Sequence, residues 1–235
     1  MPFLAAAGVA LAFWIWRAPL LAAGSSLSLQ SPETQVRQAL AHQDRAHLED
    51  VYGFRAGGTL ELVPVRYAEV VPVVEGNRAT VVAVLDAEGR AVWRDRDAQV
   101  SYVGRETFHM KPCNIALWCA EGDQFARLRG VLRSLFRRND ALRARDAGAL
   151  ATLVGDAYRD GEEDRAALLR RLAADLRGGA PADVRVRGWQ IRVERDRAEV
   201  GEDQEVLAPG DPPRKLRGRY RLQQQGERWL FVAGL

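Results

Sequence analysis

Lysine, histidine and cysteine are all scarce in this chain, and each shortage removes a class of chemistry. Only Lys111 and Lys215 are lysines among 34 basic residues, which 31 acidic residues nearly balance to a formal charge of +3. Arginine richness with so little lysine reads as a compositional bias. A pI of 9.1 resting on so small an excess does not mark a nucleic-acid surface. The three histidines, His42, His47 and His109, all fall in the first half, so the second half has no imidazole to serve as a base. His42 and His47 straddle an expected helix break and need not share a face, and no carboxylate or cysteine stands at a spacing that completes a metal site. Cys113 and Cys119 are the only cysteines. Their spacing fits neither a zinc ribbon nor a thioredoxin-like motif, leaving either a local disulfide in an exported protein or two buried thiols. Neither a metal nor a cofactor is expected.

Long apolar runs are also lacking, with one exception. Phe3 to Trp16 is uncharged and apolar throughout. At about 1.5 Å per residue it falls short of a ~30 Å hydrocarbon core unless the helix continues past Arg17 with that side chain snorkelling. Trp14 and Trp16 beside Arg17 suit a membrane interface. Residues 3–23 are read as a membrane anchor. The alternative is a signal peptide cleaved near Ala22-Ala23-Gly24, although no Lys or Arg precedes the run. GSSLSLQSP follows as a tether. The expected location is the cell membrane with the folded part in the periplasm, or secretion after cleavage.

The remainder is ordinary globular sequence, 47% hydrophobic with a mean hydropathy of -0.25. Ser31-Pro32 opens a helix carrying Val36 and Leu40, and Asp44 is expected to start a second one. From Tyr67 the period changes to strands, with EGNR as a hairpin turn. In the second half, Leu128, Val131, Leu132, Leu135 and Phe136 form one apolar helical stripe, with Arg127, Arg129, Arg133, Arg137 and Arg138 around its other sides. Asp146 starts a short helix as N-cap, and Asp160 with Glu163 has capping-box spacing before a third helix ending at Gly178. Strands follow from Val184, turning at ERDR. ALAHQDRAHLEDVYG at 39–53 aligns without gaps onto ALRARDAGALATLVG at 141–155, and the order of elements repeats. A tandem duplication is therefore expected, giving a segment 1–30, a degenerate domain 31–121 and a better-defined domain 122–235, each domain with its own sheet and core.

The apolar helix, Ala144-Arg145-Asp146, the short Ala/Leu helix, Gly155-Asp156-Ala157-Tyr158 and the helix from Glu162 to Leu176, followed by twisted antiparallel strands, resemble the NTF2-like (SnoaL-like), cystatin-like α+β family. The likeness spans roughly Phe125 to Leu235 and extends only weakly over Pro32 to Met110. It implies an α+β fold in which a curved sheet wraps helices around a cone-shaped pocket. Members use that pocket for enzymology, binding or assembly, so fold does not carry function here. Membrane-tethered bacterial proteins of the family are similar to the whole second half.

Within such a cone, Tyr158, Trp189, Tyr220 and Trp229 are the candidate ligand-pocket residues, although strand aromatics are ordinarily core. No catalytic residue is assigned, because Asp146 reads as a cap and Asp156 as a turn carboxylate. Arg214, Lys215, Arg217, Arg219 and Arg221 read as the wet face of a one-sided sheet. The expectation is a non-enzymatic, membrane-tethered or exported protein that binds a protein partner or a small apolar ligand. The competing expectation is a hydrolase- or isomerase-like enzyme with Asp156 or His109 as its base.

Overall fold

Local signals set the helix starts and the hairpin turns. The computed structural model describes residues 30–53, 57–94, 96–114, 117–178, 183–207 and 212–235. The anchor expected at residues 3–23 lies outside them. Among the described residues no helix is long and apolar enough to cross a membrane. Helix α1 (Pro32–Ala41) is capped by Ser31, whose Oγ accepts the Thr34 N–H at 3.3 Å, and Pro32 sits where a missing N–H costs nothing. Strands β2 (Thr59–Glu75) and β3 (Arg78–Trp93) turn at Gly76-Asn77, as EGNR predicts. Strands β8 (Asp183–Glu194) and β9 (Arg197–Leu207) turn at Arg195-Asp196, as ERDR predicts.

Helix α2 (Ala126–Ala144) buries the whole predicted stripe from Leu128 to Phe136. Arg145 then takes a left-handed φ of 55° and ends it. Asp146 caps α3 (Ala147–Ala151), its Oδ1 accepting from Ala149 N at 2.8 Å. After a two-stranded ribbon of β6 (Arg159–Asp160) and β7 (Glu163–Asp164), α4 runs over Arg165–Gly178. Asp164, and not Asp160, supplies its first-turn acceptor, to Ala167 N at 2.8 Å. Glu163 is drawn off into a two-pronged pair with Arg171 at 2.9 and 3.0 Å.

The expectation of two separate sheets is overturned. Strand β1 (Ala46–Leu48) and strands β2, β3 and β4 (Arg96–Asn114) continue directly into β8, β9, β10 (Arg214–Gln225) and β11 (Arg228–Ala233), with β5 (Leu117–Glu121) also on β4. Antiparallel pairing holds everywhere except one seam, where Gln99–Gly104 of β4 runs parallel to Gly188–Val193 of β8. The physical reason lies in β4 itself. It is 19 residues long, so β5 covers only the far half of its free edge, and β8 takes the rest.

The first half also lacks the second helix that Asp44 was expected to start. Ala46–Leu48 instead pairs as an edge strand with Leu60–Leu62. The predicted equivalence of Asp44 and Asp146 therefore fails, and one core replaces two: Leu40, Tyr102, Phe108, Leu132, Trp189 and Trp229 belong to a single buried cluster. Val82, expected in a core, is only half-buried because the neighbouring Val81 takes the inward register. The seam is closed by rings from three elements. Phe136 of α2 stacks at 4.4 Å on Trp93 of β3 and meets Trp189 of β8 edge-on at 5.6 Å.

Candidate functional site

The C-terminal half of α2 passes beyond the main core, and a second, smaller apolar cluster gathers on it. Ala141, Leu150, Val154, Tyr158, Leu168 and Leu172 form this cluster from α2, α3 and α4. Between the two lies a cavity of about 440 Å³, with Leu142, Leu150, Leu172 and Leu176 on the helical side and Val184 and Val186 on the sheet side. A β-bulge between Val186 and Gly188 switches the register of β8. Val186 and Trp189 can therefore both point inward. Arg138, Asn139, Gln204 and Tyr220 make the cavity's polar end. A wider depression of about 700 Å³ lies elsewhere, among the exposed Arg192, Glu199, Arg219 and Arg221. It is the more solvated and charged of the two, whereas the helices enclose the first.

The polar end is built on a buried ion pair. Arg138 is 2% exposed and Glu202 0%. Arg138 Nη2 donates to Glu202 Oε1 at 2.6 Å, Nε donates to Asn139 Oδ1 at 3.0 Å, and the guanidinium carbon lies 4.5 Å from the centroid of the Tyr220 ring. Glu202 also accepts from Trp189 Nε1 at 2.7 Å, from Tyr220 Oη at 3.2 Å and from Gln204 Nε2. Four donors on one carboxylate compensate its desolvation and occupy its lone pairs. Burial works against the charge of Arg138, but attraction to Glu202 and Tyr220 outweighs it, so its pKa is raised. Tyr220 is raised as well, mainly by burial, with Arg138 opposing. The Tyr220 ring lies down along its strand over Gly218, where any Cβ would collide with it. Among the described residues, neither Arg138 Nη1 nor Asn139 Nδ2 meets a hydrogen-bond acceptor.

Of the four predicted pocket residues, Tyr220 lines this cavity. Trp189 stands behind it, holding Glu202. Trp229 is buried against Gly130 of α2, and Ser134 Oγ donates to its carbonyl at 2.6 Å. Tyr158 packs in the smaller cluster with its hydroxyl 3.4 Å from the Leu235 carbonyl. The bases proposed for an enzyme do not converge here. The Asp156 side chain is 97% exposed beside Arg165, and His109 faces outward, 3.3 Å from Thr80 Oγ1. No metal-ligating cluster occurs among the described residues. Cys113 and Cys119 are joined as a disulfide across the β4–β5 hairpin. The strand arginines from Arg214 to Arg221 are exposed, as the wet-face reading expects.

Arg138 and Glu202 were not singled out by the sequence reading, which placed Arg138 among the outward arginines. A signal was present. Arg138 follows Val131 by seven and Leu135 by three, on the apolar stripe. Glu202 follows Ala198 and Val200 at alternate positions, on the buried face of β9.

A second buried acid lies in the first half. Glu106 is 2% exposed, accepts from Tyr102 Oη, and bonds the Leu128 backbone N–H in the first turn of α2. Phe125 occupies the α2 N-cap and has no side-chain acceptor, so Glu106 takes the cap's place from across the sheet. Burial pushes its pKa up to about 7, against those hydrogen bonds. It does not line the cavity.

No family model matches the sequence, and no curated protein matches it. Solved structures do. An NTF2-like protein of unknown function from Pseudomonas putida KT2440 is 16% identical with a TM-score of 0.41, over 48% of this chain and 86% of that one. A protein of unknown function with a cystatin-like fold from Nostoc punctiforme is 12% identical at a TM-score of 0.38, over 44% and 84%. A protein of unknown function from Mycobacterium tuberculosis is 18% identical at 0.39, over 47% and 70%. The likeness falls on the second half of the chain, to NTF2-like folds, and concerns the fold alone.

Proposed function

We propose that the protein binds a small, largely apolar ligand in the cavity between α2, α3, α4 and the β8–β10 face, and carries out no proton transfer there. The observation that supports this most directly is the state of Glu202. It is the carboxylate at the polar end, and four donors already occupy it, so it is a poor general base. The enclosed volume and leucine-rich wall are what a small-molecule site needs. The neutral dye N-phenyl-1-naphthylamine tests the reading. Its emission should rise on binding the protein, and Leu172→Trp, which fills the cavity, should abolish the rise. Unchanged emission with the wild type, or equal emission with the filled variant, counts against it.

The same reading places the folded part outside the cytosol, tethered through residues 3–23. The Cys113–Cys119 disulfide supports an oxidising compartment. Thiol labelling in intact cells should fail until reductant is added after permeabilisation. Labelling of free cytosolic thiols would reject it.

A further inference from the structure

The cavity's polar end has more donors than its own acceptors can satisfy. Arg138 uses Nη2 on Glu202 and Nε on Asn139 Oδ1, which fixes the amide with Nδ2 as its remaining donor group. Arg138 Nη1 and Asn139 Nδ2 have no acceptor among the described residues, and both residues line the same cavity. Arg138 is almost wholly buried. Buried donors left unmade are costly, so an arrangement that keeps two of them side by side in a leucine-walled space is built for an acceptor that arrives from outside. The charge around the cavity has the matching sign. Arg96, Arg138, Arg143 and Arg145 face it against Asp175 alone, and Glu202 behind Arg138 still leaves an excess of positive charge.

We propose that the ligand is a monocarboxylate with an apolar body, its head on Arg138 Nη1 and Asn139 Nδ2 and its body along Leu150 and Leu172. Two adjacent donor groups match the two oxygens of a carboxylate. A phosphate would press its remaining charged oxygen against leucine. This rests on the cavity-binding reading above and specifies its chemistry.

The test is isothermal titration of decanoate, decan-1-ol and decyltrimethylammonium into the wild type and Asn139→Asp. The aspartate keeps the acceptor for Arg138 Nε and replaces the donor with a negative oxygen. Decanoate should bind the wild type at least about tenfold more tightly than decanol, and the cation most weakly. In Asn139→Asp, decanoate should weaken by about tenfold or more, decanol should be unchanged, and the cation should gain. Equal binding of decanoate and decanol overturns the head-group assignment while leaving the cavity reading standing. So does decanoate affinity that Asn139→Asp leaves intact. No binding of any of the three overturns both. Unchanged decanol binding also shows that the variant has kept its fold.

Discussion

Replacing Glu106 with glutamine should reverse the sign of this position's effect on stability as pH rises. Glu106 is buried, and its pKa is raised to about 7 from an ordinary 4.5. A raised carboxylate pKa means that the folded state holds the proton more tightly than the unfolded chain does. The stability it lends is complete below about pH 4.5 and is lost as pH rises through about 7. A difference of roughly 2.5 pH units corresponds to about 3 kcal/mol. Glutamine preserves an acceptor for Tyr102 Oη but cannot ionise. At pH 4.5 the variant should be less stable than the wild type by up to about 1 kcal/mol, for an imperfectly placed amide. By pH 8 it should be the more stable by about 2 kcal/mol. Urea unfolding followed by tryptophan fluorescence at half-unit steps measures the difference. Every other titrating group is common to both proteins and cancels. If the difference between the two proteins stays constant from pH 4.5 to 8, Glu106 is not titrating in this window and the reasoning is wrong.

Three further outcomes are expected. Glu202→Leu leaves Arg138 charged and buried and should cost about 3–5 kcal/mol, whereas Arg138→Met with Glu202→Leu should recover most of it, as a double-mutant cycle in urea would show. Phe136→Ala removes the ring that joins Trp93 to Trp189 and should cost about 3–5 kcal/mol by the same measurement. Asp146→Ala should cost about 1 kcal/mol if the residue acts only as the α3 cap, with dye binding in the cavity preserved.

What could be read from the sequence was whatever a few neighbouring residues determine. Ser31-Pro32 and Asp146 cap the helices where expected, the two hairpins turn where EGNR and ERDR stand, and the stripe of α2 is fully buried. The seam left no such trace. Parallel pairing of Gln99–Gly104 with Gly188–Val193 depends on which stretch of β4 remains uncovered by β5, and that is a property of the assembled sheet. The aligned blocks at 39–53 and 141–155 misled for a related reason. Similar residues became a helix, a coil and an edge strand in one place and two capped helices in the other, because only the second copy sits against α4. At the site, Tyr220 was legible as an aromatic on a buried strand face. Arg138 was hidden among the many arginines around it, although its position in the stripe set it apart. Its pairing with Glu202 joins positions far apart in sequence that no local pattern connects.

The seam also governs how this chain can assemble and how it can be divided. The meander β2–β4 and the meander β8–β11 each need only near neighbours, so their loop-closure costs are small. The strip that joins them unites residues about ninety positions apart, the slow kind of contact that must wait for both sides. Until it forms, β4 and β8 each present unpaired backbone to solvent, and each can pair with the matching strand of a second molecule. A fragment ending anywhere between Glu121 and Asp183 keeps that exposed edge permanently. Such fragments should associate through it, and the two halves supplied as separate chains should find each other along the same strip.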